Sequence, residues 1–201
     1  MEYLSPCSQW LRARKLGIQV GQDLEELLQL YEHLPERTER VLEIGTQHGG
    51  WLFMLASVLS PPAQLCGVDQ VGYPAFEVVR REIEGVGFGV TRIIRPAALA
   101  RPDVDAWLGD AKLDVLHLDA SHDDGVCEEW NLYSPLVRPG GIVAIHDVRP
   151  TGPHAEYGAH DLFRTLGENL GAGAAFRTHI CLRAWPEGLG IGVVEIPKEG
   201  P

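Results

Sequence analysis

Cysteines are few in this sequence, and none lies close to another. Cys7, Cys66, Cys127 and Cys181 form no Cys-x-x-Cys pair. Zinc sites and disulfide frameworks usually show closer, recurring spacings, so this pattern predicts reduced and mostly buried thiols. The cysteines therefore argue against the zinc-finger and disulfide-rich classes of protein.

The chain also lacks clustered positive charge and long apolar runs. It has 17 Lys and Arg residues against 28 Asp and Glu residues, a formal net charge of −11, and its basic residues are scattered. Because phosphate binding depends on clustered Lys and Arg, nucleic acid is not expected as a partner. No apolar stretch is long enough to span a membrane and residues 1–5 do not begin a signal sequence, so we expect no membrane partner and a cytoplasmic protein.

The remaining composition is that of an ordinary globular domain. Of 201 residues, 45% are hydrophobic and 22% are charged, which suits one α/β domain with a substantial core. Residues 1–21 are expected to form an irregular N-terminal arm, followed by a single domain over residues 22–201. The arm carries Tyr3, Trp10 and Leu11, apolar side chains that must pack on this domain or on another subunit, so self-association is a hypothesis.

The apolar pattern predicts strands that alternate with helices. The first domain helix begins at Asp23, which forms a capping box with Glu26. Residues 148–158 have the composition of a loop, and a final helix starts at residue 159. The predicted strands are residues 40–44, 65–69, 90–94, 113–119 and 142–147, followed by a strand pair at 175–184 and 190–196 around a turn at 186–188.

The most informative stretch is the glycine-rich sequence VLEIGTQHGG over residues 41–50. An apolar run ends in an acid, a glycine turn follows and an amphipathic segment begins, as in a buried strand, a tight turn and a helix N-terminus. The free N–H groups of such a helix suit an anionic or polar ligand, and Gly45 and Gly49 let the backbone approach it. The spacing Glu43-x-Gly45-x-x-x-Gly49 departs from the dinucleotide pattern, because Gln47 replaces its middle glycine.

This motif resembles motif I of class I S-adenosylmethionine-dependent methyltransferases, and it is similar to the branch that contains cephalosporin hydroxylase-like and sugar O-methyltransferases. A second block resembles the same branch through Asp119-x-x-His122, Pro139-Gly140-Gly141 and His146-Asp147. The resemblance spans roughly residues 22–148. It implies an α/β fold, a single Rossmann-like methyltransferase domain with a mostly parallel seven-stranded sheet, an antiparallel closing hairpin and helices on both faces. The resembling enzymes often associate through N-terminal segments.

The resemblance implies S-adenosylmethionine as the cofactor. Asp69 ends the second strand, where an acid can accept hydrogen bonds from both ribose hydroxyls of an adenosine. Residues 95–98, Arg-Pro-Ala-Ala, replace the acidic or amide residue that contacts the adenine amine in many of these enzymes, so the backbone is expected to supply that contact. The predicted cofactor-binding residues are Glu43, Gly45, Thr46, Gly49, Asp69 and Asp119.

Acidic and histidine side chains end the fourth and fifth strands. Because the carboxyl ends of parallel strands meet at one edge, Asp119, Asp147 and His146 are expected to share a divalent cation, Mg²⁺, Mn²⁺ or another first-row divalent ion. The resembling metal-dependent enzymes hold an ion there; alternatively, Asp119 and His122 simply line the cofactor and acceptor pocket. The predicted catalytic residues are His122 as general base, His146 as a second candidate base, and Asp119. His117 is expected on the opposite side of its strand from the ligand end.

The sequence therefore predicts an S-adenosylmethionine-dependent methyltransferase that acts on an oxygen of a small molecule, a sugar or a natural product, with assistance from a divalent metal. Two alternatives remain open. One is an NAD-dependent oxidoreductase, against which Gln47 and the closing hairpin argue. The other is a catalytically inactive methyltransferase-like protein that binds the cofactor or a partner. The acceptor cannot be read from the sequence, because fold and cofactor motif do not encode it.

Overall fold

The computed structural model describes residues 5–121, 123–149, 158–168, 177–181 and 189–198. Within this part of the chain, no helix combines the length and the apolar character that a membrane span requires. Several predictions fall on residues outside these ranges: the position of Tyr3, the role of His122, most of the loop at 148–158, both ends of the strand at 175–184 and the turn at 186–188.

The described strands form one seven-stranded sheet of order β3-β2-β1-β4-β5-β7-β6. All neighbours from β3 to β5 pair in parallel, whereas β7 is antiparallel to both β5 and β6. This arrangement confirms the predicted fold class, including the antiparallel closing hairpin. The strands are β1 (Arg40–Ile44), β2 (Gln64–Asp69), β3 (Gly89–Ile94), β4 (Leu113–Leu118), β5 (Val137–His146), β6 (Arg177–Cys181) and β7 (Ile191–Glu195).

Helices cover both faces of the sheet, because the apolar residues of the buried strands alternate between two cores. One core contains Trp51, Leu27 and Phe76 from the first four helices. The other contains Val104 and Tyr133 from later helices. The helices are α1 (Pro6–Leu16), α2 (Leu24–Tyr31), α3 (Gly50–Leu55), α4 (Phe76–Glu84), α5 (Ala97–Leu108), α6 (Gly125–Tyr133) and α7 (Gly158–Glu168), with a 3₁₀ turn at Ser134–Leu136.

The N-terminal segment corrects the expectation of an irregular arm, because most of it is helix α1. The side chain of Ser5 caps this helix by accepting a hydrogen bond from the backbone N–H of Ser8. Gly17 ends it in the left-handed conformation, with φ 69°. Ala13 and Ile18 are buried in the first core, and Arg12 forms a salt bridge with Glu82 of α4. The segment is therefore packed on the domain.

Several element boundaries also differ from the sequence pattern. Helix α3 ends at Leu55. The apolar spacing of the helix continues to Leu59, which is buried but lies in the turns that follow. Helix α5 begins at Ala97, directly after Pro96, and contains Pro102 within its first two turns. Strand β5 includes the Pro-Gly-Gly turn, because its pairing with β4 resumes across an irregularity between Leu113 and Val115. The predicted capping box of Asp23 and Glu26 is confirmed.

Candidate functional site

The turn between β1 and α3 brings the glycine-rich sequence to the carboxyl edge of the sheet. Gly45 has φ +91°, and a Cβ atom there would lie 2.4 Å from the carbonyl oxygen of Asp119. A side chain at this position would meet both the left-handed backbone penalty and the end of β4. Gly49 is also left-handed, with φ +80°, and it forms the N-cap of α3. The glycines therefore let the turn pack tightly between neighbouring strands.

A cavity of about 350 Å³ lies beside this turn, between the carboxyl ends of β1, β2 and β4. We call it the larger edge cavity. Three of the predicted cofactor residues line it, Gly45, Asp69 and Asp119, together with residues 96–98 at the start of α5. The carboxylate of Asp69 accepts hydrogen bonds from the backbone N–H groups of Gln47 at 2.9 Å and Val71 at 2.8 Å. The loops that follow β1 and β2 thus hold the Asp69 carboxylate at the rim of the larger edge cavity.

Glu43 and Thr46 lie beside the glycine turn but outside the larger edge cavity, which Asp69 lines. Glu43 is 2% exposed, and its carboxyl accepts a hydrogen bond of 2.6 Å from the Thr46 hydroxyl. Burial raises the pKa of the Glu43 carboxyl, while its hydrogen bonds with His117 and Thr46 oppose that shift. The structure therefore brings Glu43 under the glycine turn rather than into the larger edge cavity, and Gly49 lines neither of the two cavities described here. Their roles as cofactor ligands stay predictions.

His117 corrects the expectation that it lies away from the ligand end. It is fully buried beside Glu43, its register partner on β1, with its Nδ1 atom 3.3 Å from a carboxyl oxygen of Glu43. Its ring stacks on Trp51 of α3, with centroids 4.3 Å apart, and meets the His146 ring edge-on. His117 therefore packs in the core against three residues of the site, Glu43, Trp51 and His146.

A second cavity of about 200 Å³ lies on the other side of the turn, and we call it the smaller edge cavity. Asp119, His146 and Asp147 all line it. The Nδ1 atom of His146 lies 2.9 Å from Asp119 Oδ1 and 3.1 Å from Asp147 Oδ1. The three residues predicted as metal ligands are thus brought together, and potential ligand atoms from each lie within 4.8 Å of one another. His122, the first candidate base, lies outside the described residues.

Two residues that the sequence analysis did not select contribute to the smaller edge cavity and its surroundings. Gln22, just before α2, donates a hydrogen bond of 2.7 Å to Asp119 Oδ2. Glu26 accepts a hydrogen bond of 3.2 Å from the backbone N–H of Gly190 and interacts electrostatically with His146. No local pattern marks Gln22 as a site residue, because its partner is 97 residues away. Glu26 was recognised only as part of a helix cap.

The charge state of His146 follows from its carboxylate neighbours. Burial alone would lower the pKa of His146, but Asp119, Asp147 and Glu26 outweigh burial and raise the pKa to about 9. Without a metal ion, His146 is therefore an imidazolium at neutral pH. Its ordinary pKa is 6.5, so the group binds a proton more tightly in the folded chain than in the unfolded chain.

This shift predicts a loss of stability at alkaline pH. Each unit of pKa difference is worth about 1.4 kcal/mol, so the protonated His146 should contribute roughly 3 kcal/mol to the free energy of unfolding. Because the folded pKa is the higher one, the contribution is complete below pH 6.5 and is lost as the pH rises through 9. Urea unfolding in the presence of a chelator should show this decline.

A pair of histidine variants tests the assignment. His146→Asn should flatten the pH dependence between pH 6.5 and 9, whereas His179→Asn on β6 should retain it. An undiminished decline in His146→Asn would assign the effect to another group.

The sequence matches a known family over much of its length. The family model described as "Methyltransferase domain" matches residues 42–148, from the third residue of β1 to just beyond β5. This range includes the carboxylates that line both edge cavities. No curated protein matches the sequence significantly.

Solved structures resemble the whole chain at low sequence identity. The O-methyltransferase TomG from Streptomyces achromogenes, involved in tomaymycin synthesis and solved with S-adenosylmethionine, is 20% identical with a TM-score of 0.67, over 98% of this chain and 91% of that one. An O-methyltransferase from Bacillus cereus, solved with S-adenosylhomocysteine, is 15% identical with a TM-score of 0.66, over 98% and 92%. The MycE methyltransferase of mycinamycin biosynthesis, solved with Mg and S-adenosylhomocysteine, is 18% identical with a TM-score of 0.66, over 100% of this chain and 57% of that one. At these identities the likeness shows a shared fold.

Proposed function

The chain belongs to the methyltransferase domain family, and from this premise we propose that it transfers a methyl group from S-adenosylmethionine to an oxygen of a small molecule. One observation carries the proposal: Asp119 lines both edge cavities. A cofactor in the larger cavity and an acceptor in the smaller one would meet at this residue. The structural relatives from tomaymycin and mycinamycin synthesis support a natural product as the acceptor.

The larger edge cavity fits the nucleoside part of the cofactor. Gly45 contributes backbone to the lining, and Asp69 stands at the end of β2, where a carboxylate can accept hydrogen bonds from ribose hydroxyls. Pro96, Ala97 and Ala98 supply only backbone polar groups and small apolar surface there. They would therefore hold the adenine through main-chain contacts, as the sequence of this segment predicts.

Loss of the Asp69 carboxylate should weaken cofactor binding. We expect Asp69→Ala to reduce the affinity for S-adenosylhomocysteine by roughly 1 to 3 kcal/mol, the range for hydrogen bonds to a charged group. Isothermal titration calorimetry measures the change, and Asp161→Ala on the exposed surface of α7 is a matched control. Absence of S-adenosylhomocysteine binding to the unmutated protein, together with binding of NAD, would overturn the proposed cofactor and favour the oxidoreductase alternative.

The protein's task in methyl transfer is alignment and exclusion of water. S-adenosylmethionine supplies an activated methyl group when it is bound. Asp119 would hold the acceptor oxygen at the boundary between the cavities, and Gln22 fixes the Asp119 carboxylate by its hydrogen bond. A metal-free His146 is already protonated at neutral pH, so it is a poor acceptor for a further proton. In the absence of a metal, His122 is therefore the stronger candidate for the base.

Asp119, His146 and Asp147 also fit a divalent metal ion. Two carboxylates and one imidazole form a donor set that magnesium, manganese and other first-row ions accept. The Nδ1 atom of His146 lies 2.9 and 3.1 Å from the two carboxylate oxygens, so the three side chains could serve together as ligands of one ion. A metal bound there would lower the pKa of the acceptor hydroxyl. We propose these three residues as its ligands.

Association of two copies through α1 remains a hypothesis with one specific observation in its favour. Trp10 packs against the first core, but Leu11 of the same helix is 59% exposed. We expect a dimeric mass at micromolar concentration by light scattering, and a shift toward monomer in Leu11→Glu. Leu99→Glu, at an equally exposed leucine of α5, should leave the mass unchanged. A monomeric mass for the unmutated protein would contradict the hypothesis.

A further inference from the structure

A group of potential metal ligands lies away from both edge cavities, between helix α2 and the closing hairpin. It consists of His33, just after α2, His179 on β6 and Glu195 on β7. Each of the three residues offers one ligand atom, and these atoms lie within 4.8 Å of one another. None of the three lines either edge cavity. We call these residues the hairpin cluster.

The sheet places two members of the hairpin cluster on one of its faces. Strands β6 and β7 are antiparallel, and His179 pairs with Val193. Glu195 is two residues further along β7, so its side chain points to the same face as that of His179. The Nε2 atom of His179 lies 3.0 Å from Glu195 Oε1. The two side chains are 38% and 36% exposed, so an ion can reach both from solution.

The third member comes from the helical layer that covers this face. Helix α2 packs on β6 and β7, and the ring of His33 lies against the ring of His179, with centroids 4.2 Å apart and an interplanar angle of 28°. A neutral imidazole carries a lone pair on one of its two nitrogens, so each ring can supply one ligand atom. Because both side chains are only partly buried, their rings can turn until a nitrogen of each faces one ion.

From this arrangement we propose that His33, His179 and Glu195 bind a Zn²⁺ ion, with water completing its coordination. Zinc accepts imidazole and carboxylate ligands, and three protein ligands with one water form a common zinc site. The hairpin cluster has two imidazoles and one carboxylate, whereas the edge group proposed above for a divalent ion has one imidazole and two carboxylates. Imidazole ligands suit zinc and related transition ions, and carboxylates and water suit magnesium.

The ion would join the helical layer to the closing hairpin beside the smaller edge cavity. Gln22, just before α2, and Leu189, just before β7, both line that cavity. Glu26 of α2 also accepts a hydrogen bond from the backbone N–H of Gly190. Zinc at the hairpin cluster would therefore brace α2 against the hairpin at a second point, a structural role that needs no contact with cofactor or acceptor.

Anomalous diffraction tests the position of the ion. Crystals of the protein are soaked in Zn²⁺ together with an excess of Mg²⁺, which competes for the carboxylate-rich edge group. We expect an anomalous zinc peak about 2.0 to 2.2 Å from a nitrogen of His33, a nitrogen of His179 and an oxygen of Glu195. A peak that lacks any of these three ligands, zinc bound only elsewhere, or no zinc peak would overturn the proposal.

Thermal unfolding in the same mixture of ions tests the ligands in solution. With free zinc at about 100 times its dissociation constant, we expect the Tm to rise by roughly 5 to 10 °C, the shift that such binding produces in a domain of this size. His33→Gln and Glu195→Gln should each lose most of this rise. His160→Gln is the matched control and should retain it, because His160 lies outside the hairpin cluster. No rise in the unmutated protein, or an equal rise in the two ligand variants, would contradict the proposal.

Discussion

Gly45→Ala should lose both stability and cofactor binding. The new Cβ atom would lie 2.4 Å from the Asp119 carbonyl oxygen and 2.6 Å from the Ala120 nitrogen. Both are backbone atoms, so relief of the clash requires the chain itself to shift. Overpacking costs about 1 to 3 kcal/mol, and a left-handed alanine costs about 1 to 2 kcal/mol more. We therefore expect the free energy of unfolding to fall by roughly 2 to 5 kcal/mol.

Relief of this clash would move the backbone of Gly45 or Asp119. The movement should disturb the ligand site, because both residues line both edge cavities. We expect affinity for S-adenosylhomocysteine to fall by about tenfold or more, the equivalent of at least 1.4 kcal/mol. Chemical denaturation and calorimetry measure the two losses.

Gly17→Ala separates the two causes of this loss. Gly17 is also left-handed, with φ +69°, but a Cβ atom there has no neighbour within 4 Å. The control should therefore show only the backbone penalty of about 1 to 2 kcal/mol and normal cofactor binding. Equal destabilisation of the two variants, or normal cofactor binding in Gly45→Ala, would show that the close approach to Asp119 does not matter.

The strands and the ligand edge could be predicted because their signals are local. Buried parallel strands appear as short apolar runs, and Asp69 and Asp119 follow immediately where such runs end. Once the order of the strands is that of a doubly wound sheet, the acids at their carboxyl ends must share one edge. The grouping of Asp119, His146 and Asp147 follows from the same rule.

Helix α1 was missed although its signals are also local. Proline and glycine, each considered alone, indicate irregular structure, but Pro6 occupies the first helical position and Gly17 follows the last. Proline and glycine favour those two positions for physical reasons, a preset φ and a left-handed conformation. Considered as a pair, Pro6 and Gly17 mark the beginning and the end of a helix.

His117 and Gln22 could not be placed by any local pattern. The position of His117 depends on the register between β1 and β4, which sets it opposite Glu43, and on the packing of Trp51 over its ring. Gln22 reaches Asp119 because the segment before α2 lies against the start of α3, where a Cβ on Gly50 would stand 2.0 Å from the Gln19 carbonyl oxygen. These contacts come from tertiary packing, which sequence periodicity does not encode.

Removal of a divalent metal should abolish turnover if Asp119, His146 and Asp147 hold one. With an acceptor identified through release of S-adenosylhomocysteine, chelator should reduce the rate to background while leaving cofactor affinity nearly unchanged, because Gly45 and Asp69, which line the larger edge cavity, are not among the three proposed metal ligands. Added Mg²⁺ or Mn²⁺ should restore the rate. Metal affinity should rise with pH, since binding displaces the proton of His146.

Asp147→Asn is the sharpest variant for this test. Asp147 has φ 61°, a left-handed conformation that Asn tolerates better than Ala does, so the substitution removes the charge with little backbone cost. It should reproduce the effect of the chelator, and Asp147→Ala should do so with an added loss of stability. Asp161→Asn, at an exposed acid on α7, should leave turnover intact.

A general base at His122 leads to the opposite set of results. If His122 alone removes the acceptor proton, chelator should have no effect, and His122→Ala should reduce the rate by about 10²- to 10⁴-fold, the usual loss on removal of a general base. His160→Ala is the matched control, because the His160 ring contacts the backbone carbonyl of Val148 and lines neither edge cavity. The two mechanisms are therefore separated by one pair of measurements. Turnover that survives both chelator and His122→Ala would contradict both, and would indicate an acceptor that is already ionised when it binds.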